Sequence, residues 1–320
     1  MYFSVIVPVY NRPQEIKDLL SSLEGQEFRD FEVIVVEDGS KISSEEIVKE
    51  FTSSLAISYY FIENIGQGFA RNYGMEKAKG QYFVLFDSDC IIPSQYLRIL
   101  HAAIADRNLD AHGGPDGADV DFSPFQKAIN YSMTSLLTTG GIRGKLKNPG
   151  SYQARGYNMG LSRKAFEVSK GFIDPNKAED IELSLRLKKL GFKLELVEAA
   201  FVYHKRKNNW SSFFAQSFSF GRNRINVSRY HPEAVKFIHL LPAFFLLFCL
   251  GILLAAILGI QQYKLGLGLL GLWLAAILVH ASVLNKSLIV GGLSIFTSFG
   301  QLCSYGAGLL FEYAIKSVKG

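Results

Sequence analysis

Between Phe237 and Phe311 the chain carries two charged residues, Lys264 and Lys286, and no acid. A bilayer-spanning helix needs roughly 20 consecutive apolar residues. Phe237–Ile260, Leu265–Leu284 and the Gly- and Ser-richer Leu288–Ile315 each meet that length. A helix apolar on all sides over this distance is rarely the core helix of a soluble protein. The stretch therefore reads as membrane-inserted, and the charged remainder as water-facing. The expected division is residues 1–230 against 231–320. Three spans are expected, since Leu288–Ile315 is long enough to cross. Lys316 and Lys319 favour the alternative, two spans and an interfacial last segment that keeps the C-terminus with the cytoplasmic basic residues.

Lys205, Arg206, Lys207, Arg222, Arg224, Arg229 and Lys236 cluster before the first apolar segment. A juxtamembrane excess of this kind marks the cytoplasmic side. The opening "MYFSVIVPVYNRP" has no basic region followed by a long apolar run, so no secretory leader is expected. These features imply a multi-pass protein of the inner (plasma) membrane with its water-facing part in the cytoplasm. The net charge of +5 is modest and gives no reason to expect nucleic acid as a partner. Cys90, Cys249 and Cys303 show no metal-ligand spacing, and Cys90 reads as a half-buried thiol in a reducing compartment.

Residues before 230 alternate in period. "FSVIVPVYN", "FEVIVVEDGS", "ISYYFIE" and "YFVLFDSD" read as buried strands. "PQEIKDLLSSLEGQ", "SSEEIVKEF" and "GQGFARNYGMEKAKG" read as the helices between them. Strands alternating with helices imply right-handed crossovers and a mostly parallel sheet, hence an α/β fold. Ligands of such sheets bind beyond the carboxyl ends of the strands, where Tyr10, Asn11, Glu37, Asp38, Asp87 and Asp89 all fall. Residues Asp106 to Pro149 are Gly-rich and are expected to be irregular loops, whereas "EDIELSLRLKKLG" is a clear amphipathic helix. "NWSSFFAQSFSFGRNRI" mixes aromatics and arginines as an interfacial helix does.

Asp87 and Asp89 pose the sharpest chemical question. Two like charges one residue apart are costly unless they are solvated or a cation lies between them. A solvated loop satisfies the first condition, and a divalent ion held by carboxylates and substrate phosphates satisfies the second. Asp38-Gly39-Ser40 is likewise a sound turn on its own, and acids at the start of "EDIEL" suit a helix N-terminus.

Taken together, "SVIVPVYNRPQEI", "FEVIVVEDGS", "NIGQGFARNYGMEKAKGQYFVLFDSD", "GYNMGLSRKAFEVSKGFID" and "EDIELSLRLKKLG" resemble, in order, a family 2 glycosyltransferase of the GT-A fold. The resemblance covers roughly residues 3 to 225 and implies an inverting enzyme with a nucleotide-sugar donor. Pro8 and Tyr10 would then line the nucleobase pocket, with Asp38 accepting a hydrogen bond from the base and Glu37 beside it. Arg71 and Asn72 would meet the donor nucleotide. Asp87 and Asp89 would hold Mg²⁺ or Mn²⁺ on the diphosphate, Asp89 directly and Asp87 shared with the ribose. His204 stands where a third ligand is found in many such enzymes, although a lone His after a strand also serves structure. Asp180 would be the general base, with Glu179 beside it. Gln216 and Arg222 resemble a later acceptor-side element. They depart from the Q-x-x-R-W of processive synthases, with Ser219 and Phe220 in place of Arg and Trp, which argues against polymer synthesis.

The activity so implied is transfer of one sugar from a UDP- or GDP-linked donor to a lipid-linked or membrane-presented acceptor in cell-surface glycan synthesis. A polyprenyl-phosphate acceptor and a non-catalytic membrane scaffold are the alternatives. The scaffold reading is weakened because Asp38, Asp87, Asp89 and Asp180 are all present.

Overall fold

A computed structural model describes residues 1–117, 122–139, 152–204 and 209–319. The chain forms two compact units, Met1–Asp119 with Lys147–Lys205, and Val120–Leu146 with Arg206–Gly320.

The first unit is built on strands β1 (Phe3–Val9), β2 (Phe31–Asp38), β3 (Ile57–Ile62), β4 (Tyr82–Phe86), β5 (Cys90–Ile91), β6 (Ala111–Gly113), β7 (Asp116–Gly117), β8 (Asn158–Ser162), β9 (Leu194–Leu196) and β10 (Val202–His204). Among the described residues seven of them form one sheet in the order β3-β2-β1-β4-β8-β6-β9. Only β8 runs against its neighbours β4 and β6; the other pairings are parallel. β1 and β2 are buried along their whole length because both sheet faces are covered, which is why they read as unbroken apolar runs. Val5, Val7 and Val9 pack with Ile16, Leu19, Leu20 and Leu23 of the helix Pro13–Glu24. Ile6, on the opposite face, packs with Ala70 and Met75 of the helix Gln67–Lys77. A small second sheet places β10 between β5 and β7.

The second unit is helical. Within the segment expected to be irregular, Pro124–Thr134 is a helix closed at its start by a capping box between Ser123 and Gln126. The rest of that segment lies partly outside the described residues. Trp210–Val227 follows, and then Leu241–Ile257, Tyr263–Asn285 and Leu288–Lys319. The segment from Tyr263 and the one from Leu288 are long and apolar enough to cross a membrane; Leu241–Ile257 is apolar but shorter than the span expected there. Leu288–Lys319 packs on Pro124–Thr134, where Thr297 donates a hydrogen bond to the Ala128 carbonyl at 3.1 Å. The hydroxyl of Tyr131 and Nδ1 of His280 are 2.9 Å apart, and the Trp273 indole N–H donates to the Leu137 carbonyl at 3.0 Å. Ile129, Met133 and Phe213 form a further apolar cluster in this unit.

Candidate active site

β1, β2 and β4 are parallel and adjacent, so their carboxyl ends share one edge of the sheet. β8 enters at that same edge, because Asn158 pairs with Phe86. Tyr10 to Arg12, Glu37 and Asp38, Asp87 to Asp89, and Gly156 and Tyr157 therefore converge there. Two helices add the remaining groups: Gln67–Lys77 brings Arg71, and the start of Glu179–Lys189 brings Glu179 and Asp180.

Arg71 joins these elements. Its side chain is 1% exposed, donates to Asp87 Oδ1 at 2.5 Å and lies 3.4 Å from Glu179 Oε1. The guanidinium also sits over the Phe172 ring, 5.5 Å from its centroid. Gly156 lets the backbone come this close, since a Cβ there would lie 2.6 Å from a guanidinium nitrogen. The Gly156 N–H donates to Asp180 Oδ2 at 3.3 Å, so one glycine touches both the buried cation and the candidate base. Burial alone would lower the Arg71 pKa, but the charges of Asp87, Glu179 and Asp180 outweigh it and the pKa is raised. Glu179 is pushed up to about 7, first by burial and then by Asp180, with Arg71 opposing. Gln67 donates to its Oε1 at 2.6 Å. Asp180 is half-buried and is the more accessible acid of the pair. The cap of its helix is Ala178, in the left-handed region at φ 59°, so neither Glu179 nor Asp180 is the N-cap residue.

Asp89 is held from the other side. Its Oδ2 accepts from Arg12 at 2.7 Å, and its side chain is 9% exposed against 31% for Asp87. Burial works against the charge on Arg12, but Asp89 and Glu15 more than restore it and its pKa is raised. Each aspartate of the pair thus faces its own arginine, which answers how the chain tolerates two like charges at a strand tip. Among the described residues no three His, Cys, Asp or Glu converge as a complete metal cage. Two carboxylates at one strand end nevertheless fit Mg²⁺ or Mn²⁺ chemically, because such hard ions take one or two carboxylates and complete their shell with phosphate and water oxygens. By register His204 pairs with Cys90, the residue after Asp89; its side chain lies outside the described residues.

The other expected residues divide. Tyr10 is 50% exposed just beyond β1, whereas Pro8 is buried within the strand. Asp38 accepts from the Ile65 and Gly66 N–H groups at 2.7 and 3.0 Å, one on each oxygen, and a carboxylate has a second lone pair on each. Glu37 is wholly buried and accepts from Ser40 Oγ, from the Ser44 N–H at 2.8 Å and from the Tyr59 hydroxyl at 3.3 Å. It pins the loop after β2, and Asn11 supports that loop by accepting from the Lys41 N–H at 2.8 Å. Asn72 clamps the backbone of Phe172, donating to its carbonyl and accepting from its N–H, both at 2.8 Å. Gln216 and Arg222 belong to the helical unit, where Arg222 donates to Glu312 at 2.8 Å.

Arg12, Gln67 and Gly156 had no role in the sequence reading. Arg12 directly follows "VYN" and Gly156 opens "GYNMG", so both stood inside recognisable stretches. Only the folded geometry shows what each one touches.

Known proteins resemble this chain in sequence and in fold. The profile of glycosyl transferase family 2 matches residues 4–169, more than half of the chain. Glycosyltransferase GlyA of Streptococcus pneumoniae is 38% identical over 108 residues, covering 33% of this chain and 16% of that protein. Chondroitin synthase of Escherichia coli is 28% identical over 236 residues, covering 63% of this chain and 34% of that protein. The chain thus spans about a third or less of the length of either relative. Among solved structures, mannosyltransferase PcManGT from Pyrobaculum calidifontis, in complex with GDP-Man and Mn²⁺, superposes with a TM-score of 0.62 at 17% identity, covering 97% of this chain and 87% of that one. S. aureus TarS 1-349 with UDP-GlcNAc gives a TM-score of 0.52 at 19% identity, with 99% and 92% covered. At such identities these two likenesses speak to the fold, which is the GT-A arrangement of a mostly parallel sheet. With its profile and its fold in agreement, the chain belongs to glycosyl transferase family 2.

Proposed function

We propose that the protein is an inverting glycosyltransferase that moves one sugar from a nucleotide-sugar donor to a membrane-presented acceptor. Residues 1–230 would carry the catalysis and residues 231–320 the membrane region. The observation that carries this reading is Arg71, one buried cation tying Asp87 of the strand-end pair to Glu179 and standing close to Asp180. The arrangement fixes the donor-side acid and the acceptor-side acids in one rigid frame, as positioning catalysis requires.

Asp180 acts as the general base, taking the proton of the acceptor hydroxyl as that oxygen attacks the anomeric carbon. Its backbone partner, the Gly156 N–H, orients the carboxylate. Glu179 anchors Arg71, and Tyr10 offers an exposed aromatic face to the nucleobase. Asp38 keeps a lone pair on each oxygen for a base N–H. Mg²⁺ or Mn²⁺, held by Asp87 and Asp89 with His204 as a further ligand, would supply counter-charge to the leaving diphosphate. The Mn²⁺ named with the mannosyltransferase neighbour supports that cofactor, and its GDP-Man and the UDP-GlcNAc of the second neighbour support the donor class. The apolar helices support a membrane-bound setting, by which an acceptor held in the same membrane gains effective concentration.

The test is Asp180→Asn. Asparagine keeps the size and an oxygen for the Gly156 N–H, so melting temperature and donor affinity should stay near wild type. Sugar transfer should fall by about 10²- to 10⁴-fold, the usual cost of losing a general base. A folded Asp180→Asn enzyme with near wild-type turnover would assign the proton transfer elsewhere.

A further inference from the structure

The segment Leu288–Lys319 has the length and composition of a span, and the expectation of three spans counts it as one. Its neighbours within the helical unit argue for a different count. From Gly300 onward it runs parallel to Trp210–Val227 and in contact with it. Phe214 meets Gly300, Phe218 meets Gly308 and Phe311, Gly221 meets Tyr305, Arg222 and Arg229 both meet Glu312, and Ser228 meets Lys316. From Phe214 with Gly300 to Ser228 with Lys316 the pairs run in the same direction along both helices, over roughly 20 Å at 1.5 Å per residue.

Helices packed side by side along most of their length share one depth. If Leu288–Lys319 crossed the hydrocarbon, Trp210–Val227 would have to cross with it, carrying Gln216, Arg222, Asn223, Arg224 and Asn226. Arginine within the bilayer is strongly disfavoured. The buried face of Leu288–Lys319 carries Ser294, Thr297, Ser298, Gln301 and Glu312 among the apolar Val290, Leu302 and Leu309. By contrast, Leu241–Ile257 and Tyr263–Asn285 form a hairpin, with Ile252 against Gly266 and Phe245 against Trp273, and they expose Leu250, Leu253, Ile257, Leu265, Leu269 and Leu272. The faces carrying these residues suit lipid. The contacts with Leu288–Lys319, Gly306 against Pro242, Phe299 against Phe245 and Gly291 against Leu278 and Ser282, gather toward the end of the hairpin where the chain enters and leaves it.

We infer that only the hairpin Leu241–Asn285 enters the bilayer, and that Leu288–Lys319 lies along the membrane surface beside Trp210–Val227, facing the lipid headgroups. The chain leaves the membrane on the face where it entered. This inference rests on the membrane part of the proposed function, and the experiment separates the two.

Full-length protein is made with one epitope tag ahead of Met1 and another after Gly320, in sealed vesicles of known orientation. Among the described residues before Trp210 no helix is long and apolar enough to cross, so the first tag reports the face of Trp210–Val227. The expected result is retention in the pellet after alkaline carbonate extraction, with both tags cut by protease from the same face. Retention with the tags on opposite faces would overturn the surface placement and restore an odd number of spans. Release by carbonate would overturn the membrane reading, and this inference with it.

Discussion

Arg71 and Glu179 show how much of the site is electrostatics that a string of letters does not display. "ARN" and "EDIEL" were both legible as family stretches, but nothing in either indicates that the two side chains meet across a buried gap. Glu179 has an ordinary pKa of 4.5 and stands at about 7 in the fold. A raised carboxyl contributes stability that is fully present below 4.5 and is lost as pH rises through about 7. Across that window the folded state should lose on the order of 3 kcal/mol from this group. Glu179→Gln keeps an oxygen for Gln67 and Arg71 and cannot titrate. Urea unfolding at several pH values should therefore show a wild-type decline between 4.5 and 7 that is flattened in Glu179→Gln. Parallel slopes in the two proteins would remove Glu179 as the source. Asp87 and Asp89 were the easier case, because their spacing and their strand are both local. Their arginine partners were not, since Arg12 comes from the end of a strand far away in the chain.

Strands and helices were mostly legible where their apolar period was strong, as in β1, β2 and β4. The error fell on Pro124–Thr134, where neighbouring glycines drew attention from a capping box that is readable in "SPFQ". Another feature escaped at this scale because it joins four elements. His112 on β6 lies between Tyr82 of β4 and Tyr96 of the helix Tyr96–Arg107, each hydroxyl 3.1 Å from a ring nitrogen. Tyr96 donates to Asn158 Oδ1 of β8 at 2.6 Å, so it must accept from His112 Nε2–H, and Nδ1 in turn accepts from Tyr82. Only the neutral ring satisfies this chain, and burial holds the His112 pKa down to about 3. A depressed histidine leaves stability intact above its ordinary value of 6.5 and removes it as pH falls toward 3, by on the order of a few kcal/mol. His112→Gln should lower the baseline and reduce that acid slope, as read from unfolding midpoints at pH 7, 5 and 4. An unchanged slope would place the acid sensitivity on other groups.

At the scale of the molecule, composition revealed the apolar C-terminal part but not what it supports. The helices Pro124–Thr134 and Trp210–Val227 precede residue 230, yet both pack on Leu288–Lys319. A fragment ending at residue 230 would uncover Tyr131, which packs with Ile277 and Ala281, and Ile225, which packs with Ala243 and Leu309, and would leave Arg222 and Arg229 without Glu312. It should aggregate or bind hydrophobic dye in detergent-free buffer, whereas full-length protein in detergent should be monodisperse by size-exclusion. A monomeric, dye-silent fragment would show that the boundary is self-sufficient.

The bond between Thr297 and Ala128 links residues 169 positions apart in sequence. Chains are made at about 5 to 20 residues per second, so Pro124–Thr134 waits roughly ten to thirty seconds on the ribosome before its covering helix exists. Throughout that interval its apolar side is open to chaperones and to the membrane surface. Assembly of this unit is therefore set by the clock of translation, and slowing synthesis downstream of residue 134 lengthens the one period in which the nascent chain is most exposed.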